Sequence, residues 1–196
     1  MKTKRENPSV IGQNYFYGDS VRKNYRKAFP YLLEAATDGD IHPQNLVGYC
    51  YDLGLGVEKN MKQAAFWYQQ AAKNRHKEAI CNLAIFYEKG KGVDKNPRKV
   101  FLLYKKAALL GDTWAQCNLG VCYLDGTGTK RDLIKGIKWT RRAARKGDDK
   151  AQFNLGNACF EGKGVNKNIR LARLWLKKAA SRNNQSAIRL LKDFSN

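Results

Sequence analysis

Acid is scarce in this chain. It has 17 Asp and Glu against 37 Lys and Arg, a formal charge of +20 at neutral pH. The shortage is uneven. Residues 1–78 hold 12 Lys/Arg and 8 Asp/Glu, whereas residues 79–196 hold 25 and 9. The second stretch therefore attracts acidic protein, nucleic acid or anionic lipid, or else serves as a solvated lysine-rich face. Long apolar runs are also missing: none reaches the ~18 residues that a membrane-spanning helix needs, so no span is expected. The opening MKTKRENPSVIGQ has no apolar core, so no secretory signal is expected there. Only two histidines occur, His42 and His76, without a Cys or Asp partner at catalytic or metal spacing. Neither His-Glu-x-x-His nor Gly-x-Ser-x-Gly is present. The five cysteines, Cys50, Cys81, Cys117, Cys122 and Cys159, are odd in number and fit neither a zinc ribbon nor a redox pair. They are expected to be reduced and buried in a reducing, cytoplasmic compartment, with a secreted effector as the alternative. No metal or cofactor is expected.

What the chain does have is a period. Ile11, Val47, Leu83, Leu119 and Leu155 follow one another at intervals of 36 residues. Gly12, Gly48, Ala84, Gly120 and Gly156 come directly after them, and Tyr15, Tyr51, Tyr87, Tyr123 and Cys159 three further on. Gly18, Gly54, Gly90, Gly126 and Gly162 share one phase, and Ala–Ala pairs from Ala35–Ala36 to Ala179–Ala180 another. No gap is needed. A fixed period of this size marks a repeat array, in which each unit buries its apolar face against its neighbours.

Each unit reads as helix, glycine loop, helix, turn. The units run over about 7–40, 41–76, 77–112, 113–148 and 149–184, with a capping helix in 185–196 and a loose basic tail in 1–6. Apolar residues at helical spacing, such as Ala79, Leu83, Ala84 and Tyr87, mark the first helix. The small residue after the repeated leucine lets two helices approach closely. The glycine loop permits positive φ after that helix, and Val57, Val93 and Val165 plug the core behind it. Asn24, Asn60, Asn96, Asp132 and Asn168 are N-caps of the second helix by type, and Pro97 suits a first helical position. In that helix Ala64, Phe66, Trp67 and Ala71 are expected to face inward, with Trp139 and Trp175 at the phase of Trp67. Pro30 is expected to bend or shorten the second helix of unit one.

The unit Ala-x-x-Asn-Leu-Gly-x-x-Tyr-x-x-Gly-x-Gly-Val-x-Lys-Asn, followed by an aromatic and Ala-Ala, resembles the Sel-1-like repeat, a relative of the tetratricopeptide repeat. The likeness covers roughly residues 7–194 and departs at Ser20, Pro30, Thr129 and Cys159. It implies an all-α fold: a right-handed α/α superhelical solenoid of about five units and a capping helix. It also implies a non-enzymatic adaptor that binds a peptide or protein in a concave groove lined by the first helices. Such an adaptor serves as a bacterial scaffold, an effector or an immunity protein that blocks an acidic toxin. A cysteine-rich branch of the family has been linked to penicillin-binding or β-lactamase-like activity, but the regular cysteine pairs of that branch are absent here.

Two surfaces compete as the binding site. In the groove, Asn82, Asn118 and Asn154 share one phase and can pair with a peptide backbone as donors and acceptors. Tyr49, Ile85, Trp114, Val121, Leu124, Phe153 and Phe160 form an apolar patch beside them, with Trp114 the anchor because its equivalents are polar. Packing against neighbouring turns and helices is the plain alternative for both sets. The second surface is basic: Arg141, Arg142 and Arg145 on one second helix, Arg170 and Arg173 on the next. It suits an acidic protein, or nucleic acid held by phosphate contacts without sequence preference. The glycine loops, such as Gly126-Thr-Gly-Thr-Lys, follow helices rather than strands and recur in each unit, so they are punctuation rather than phosphate cradles.

Overall fold

The computed structural model describes residues 7–193; the expected basic tail at 1–6 and the polar end Ser195–Asn196 lie outside them. Among the described residues there are eleven helices and no strand. The first helices of the repeats are α1 (Pro8–Tyr17), α3 (Ile41–Leu53), α5 (Lys77–Lys89), α7 (Thr113–Asp125) and α9 (Asp149–Glu161). The second helices are α2 (Tyr25–Thr37), α4 (Met61–Lys73), α6 (Pro97–Leu109), α8 (Leu133–Arg145) and α10 (Ile169–Ala180), and α11 (Gln185–Asp193) follows. The chain divides into two compact units, Met1–Asn96 and Pro97–Asn196, with the boundary between the two helices of the third repeat. In the first unit α1 packs on α2, α2 on α3, α3 on α4 and α4 on α5; in the second α6 to α11 pack in chain order.

The helix ends explain why the repeat needs its conserved phase of glycines. Gly18, Gly54, Gly90, Gly126 and Gly162 end the first helices in the left-handed region, at φ 70–85°. The loop is then tied back. The N–H of Asn24, Asn60, Asn96, Asp132 and Asn168 donates to the carbonyl of Tyr15, Tyr51, Tyr87, Tyr123 and Cys159 at 2.8–3.1 Å. The side chains of Asn24, Asn60, Asp132 and Asn168 meanwhile accept from the second helix, capping it as expected. Gly56, Gly92 and Gly128 matter for a different reason. A Cβ at any of them would run into the main chain of Tyr25, Met61 or Pro97, at the start of the preceding second helix. Ser20 holds the same positive φ, 61°, on an exposed loop.

Inside each repeat the first helix presents its small residue to one side chain of the second. Gly12 faces Leu32, Gly48 the ring of Tyr68, Gly120 Thr140 and Gly156 Leu176. Leu32, Tyr68, Tyr104, Thr140 and Leu176, all at one phase, are buried, and full burial of a side chain of Leu size contributes about 1.5–3 kcal/mol. Those residues, rather than the preceding aromatic, form the inner stripe. Phe66 is 48% exposed, against expectation, and Trp67, Trp139 and Trp175 are half-buried. One residue is about 100° of helix, enough to move position 67 to the edge of the buried face. Pro30 does not shorten α2, which has the same 13 residues as α4. Pro30 is on the exposed side, where the carbonyl it leaves unpaired is open to solvent. Val57 and Val165 pack against the cores as expected.

A second repeated device was not foreseen. Gln44, Gln116 and Gln152 are buried near the start of α3, α7 and α9. Each donates its amide to the carbonyl of the last buried alanine of the preceding helix, Ala36, Ala108 or Ala144, at 3.1–3.2 Å. Ile80 fills the same phase in α5.

Candidate interaction surfaces

In the Pro97–Asn196 unit α7 and α9 flank a cleft. Val121, Leu124 and Asn154, all expected in the groove, line it with Asp125, Asn157, Glu161 and Lys163. The Asn157 amide donates to Glu161 at 3.0 Å, which orients the carboxylate. The cleft encloses about 190 Å³, below the roughly 300–1,000 Å³ of small-molecule sites. It has room for side chains of a docked segment. Leu124 and Phe160 also pack against the core formed by Cys117, Ile137 and Leu155, and Phe153 against Leu176, Ala179 and Ala187. Trp114 is half-buried, with its ring edge-on to Tyr104 at 5.4 Å. Asn118 donates to the carbonyl of Trp114, one turn back in its own helix, at 3.0 Å.

In the Met1–Asn96 unit the first helices bring together a row of rings. Tyr17 stacks on His42 and His42 on His76, with the Tyr17 hydroxyl 3.0 Å from His42 Nε2 and His42 Nδ1 3.4 Å from His76 Nε2. His76 is the N-cap of α5, and its Nδ1 accepts the N–H of Ala79. That nitrogen therefore carries no proton, so Nε2–H of His76 donates to His42, and His42 in turn to Tyr17. Burial pushes the pKa of His76 below the ordinary 6.5; Glu78 pulls it up, while His42 and Lys77 press it further down. Burial, with Glu78 and Asp19, raises that of Tyr17. Asn45, buried beside this row, donates to Glu78 at 3.5 Å. Tyr49 is exposed beside Phe16, while Asn82 and Ile85 are half-buried. The two histidines looked unrelated in sequence. They are 34 residues apart rather than 36 because one caps its helix and the other stands inside the first turn.

The second helices present the opposite chemistry. In the Pro97–Asn196 unit, α6, α8 and α10 carry thirteen Lys and Arg and no acid, whereas α7 and α9 carry Lys150 against Asp125, Asp149 and Glu161. Arg141, Arg142 and Arg145 line one hollow with Lys138, Lys146 and Ile134. Arg170 and Arg173 line another with Ile169, Leu174 and Lys177. Arg142 lies over the ring of Trp139 and Lys178 over that of Trp175, at 5.5 and 4.8 Å.

All five cysteines are buried thiols outside any disulfide. Burial pushes Cys50 and Cys117 up to about 12, Asp148 adding to the effect at Cys117, and raises Cys159 as well. Such thiols are poor nucleophiles at neutral pH. Among the described residues no group of three His, Cys, Asp or Glu is placed to hold a metal ion, and no helix is long and apolar enough to cross a membrane.

The model of the Sel1 repeat matches residues 11–40, 44–76, 77–112, 115–148 and 149–184. The chain belongs to the Sel1 repeat family. Its fold is similar to that of a Sel1 repeat protein from Oxalobacter formigenes, with 32% identity and a TM-score of 0.87 over 94% of this chain and 73% of the other. It is also similar to c5321, a protective antigen of uropathogenic Escherichia coli, at 27% identity and a TM-score of 0.87 over 92% and 38% of the two chains. Helicobacter pylori cysteine rich protein B is more distant, at 26% identity and a TM-score of 0.53 over 67% and 95%. No curated protein matches the chain. Within the Sel1 frame the repeated leucine, the small residue after it and the Ala–Ala pair build the helix pairs.

Proposed function

We propose that this Sel1 repeat protein is a non-catalytic scaffold that takes a segment of a protein partner on its first-helix surface. The cleft between α7 and α9 carries this reading. Leu119, Gly120, Leu155 and Gly156, at the repeated leucine and glycine positions, are buried, whereas Val121, Asn157 and Glu161 in its lining stand at phases whose residue changes from unit to unit. Asn154 and Asn157 offer amides that pair with a peptide backbone in both directions. Asp125 and Glu161 outweigh Lys163, so the segment is apolar with a basic residue; an acidic partner suits the second-helix face instead.

The test is titration of a partner against variants that spare the core. Phe153, Phe160 and Leu124 pack inward, so their loss mixes binding with stability. Asn154→Ala with Asn157→Ala removes cleft contacts alone and is expected to weaken binding by about 2 kcal/mol. Reversing the charge of Arg141, Arg142 and Arg145 is expected to change mainly the association rate and its salt dependence. A partner indifferent to the asparagines and lost with the arginines would overturn the cleft reading.

A further inference from the structure

We propose that the second-helix face of the Pro97–Asn196 unit docks on an anionic phospholipid surface. The observation is compositional and positional at once. Apart from Pro97, the residues exposed on α6, α8 and α10 are all Lys, Arg, Leu or Ile. No acid, amide or hydroxyl side chain is exposed there. Leu102 is 51% exposed, Leu109 66%, Ile134 75% and Leu174 49%. An ordinary solvated face looks different: α2 and α4 of the other unit expose Glu34, Thr37, Gln63 and Gln69 among their cations. The repeat carries α6, α8 and α10 into equivalent places, and cation and aliphatic alternate between them. Arg98, Ile134 and Arg170 share one phase and Leu102, Lys138 and Leu174 another, one turn on.

This face offers hydrogen-bond donors and hydrocarbon, and its exposed side chains offer no acceptor except where Asp132 pairs with Lys135 at the start of α8. A lipid headgroup layer is the complement: phosphate acceptors outside, acyl chains beneath. Cations held near such a surface each gain about 1 kcal/mol, and aliphatic side chains between them enter the headgroup–acyl boundary. A nucleic acid matches the cations but leaves Ile134, Leu109 and Leu174 without a partner. The tryptophans of this face, which a base would need for stacking, are half-buried, with Arg142 and Lys178 over Trp139 and Trp175. An acidic peptide brings backbone donors that find no side-chain acceptor here. The proposal is independent of the cleft reading, since it uses none of the cleft residues.

Flotation of the full chain with vesicles tests it. Phosphatidylcholine vesicles are compared with the same vesicles containing phosphatidylglycerol, at low and high salt. Binding is expected only to the anionic vesicles. Arg141→Gln with Arg142→Gln and Arg145→Gln is expected to weaken it about a hundredfold. Ile134→Ser with Leu174→Ser leaves the charge intact and is expected to weaken it about tenfold. Both sites are exposed, so helicity and melting should not change, and circular dichroism checks this. Failure to bind, equal binding to neutral vesicles, or a serine variant that binds as well as the parent would overturn the proposal. A polyglutamate peptide and a DNA duplex are the comparison anions. If either binds more tightly than the vesicles and loses as much from the serine changes, the face is built for that polymer and the lipid assignment fails.

Discussion

At the scale of single residues, the row Tyr17–His42–His76 is the feature that the repeat pattern concealed. His76 stands at the phase of Asp40, Asp112 and Asp148, of which Asp112 and Asp148 cap α7 and α9 through their side chains, and it is the one titratable residue of that set that is uncharged at neutral pH when free. Its pKa in the fold lies below 6.5, chiefly from burial. The sign follows from linkage. As pH falls below 6.5 the unfolded chain binds a proton that folded His76 resists, so stability drops, and the loss is complete once pH is below the folded value. Protonation on Nδ1 also opposes the Ala79 N–H that this nitrogen accepts. His76→Asn keeps a capping side chain without the titration. Thermal melts at pH 7 and pH 5 should show a larger fall for the parent than for His76→Asn; equal falls would remove His76 from the account.

At the scale of elements, stacking depends on backbone meeting backbone. The loop glycine of one repeat lies against the first turn of the preceding second helix, so it answers to two constraints, positive φ and no room for Cβ. Gly92→Ala should cost about 3 kcal/mol, from left-handed strain plus displacement of Met61. Ser20→Gly, at the same phase but exposed, should change stability by less than about 1 kcal/mol. Urea unfolding of both variants checks the contrast, and similar small costs would show that the loops yield. The glycines were legible because phase alone reports them. The glutamines were not: Gln44, Gln116 and Gln152 occupy three of the five repeats, with Pro8 and Ile80 at that phase in the others, and a polar residue near a helix start reads as exposed. The inner stripe was misplaced by one residue for a related reason. Trp67 draws the eye, yet the position facing Gly48 is occupied by Tyr68.

At the scale of the molecule, the sequence shows an excess of cations toward its end, but sequence halves are the wrong partition. The charge sorts by helix. In the Pro97–Asn196 unit the second helices hold thirteen of the sixteen Lys and Arg of the helical segments, and the cleft between the first helices is left slightly acidic. A period of 36 residues delivers the same side of every unit to the same place, so small biases at one phase add up to a surface. The cleft residues were partly legible for the same reason. Val121, Leu124, Asn154 and Asn157 fall on first-helix phases that the repeat assigns to the groove, but Glu161 was passed over, and the inward packing of Phe153 and Phe160 needs the tertiary neighbours to be seen.

The central claim is that first-helix clefts, not second-helix faces, hold the protein partner. Site-specific photo-cross-linking tests it most directly. A photoreactive side chain is placed at Asn157 in the cleft, and separately at Leu102 and Leu174 on the second helices. The account predicts covalent adducts with a protein partner from position 157 and none from positions 102 and 174. Adducts from the second-helix positions with none from the cleft would contradict it.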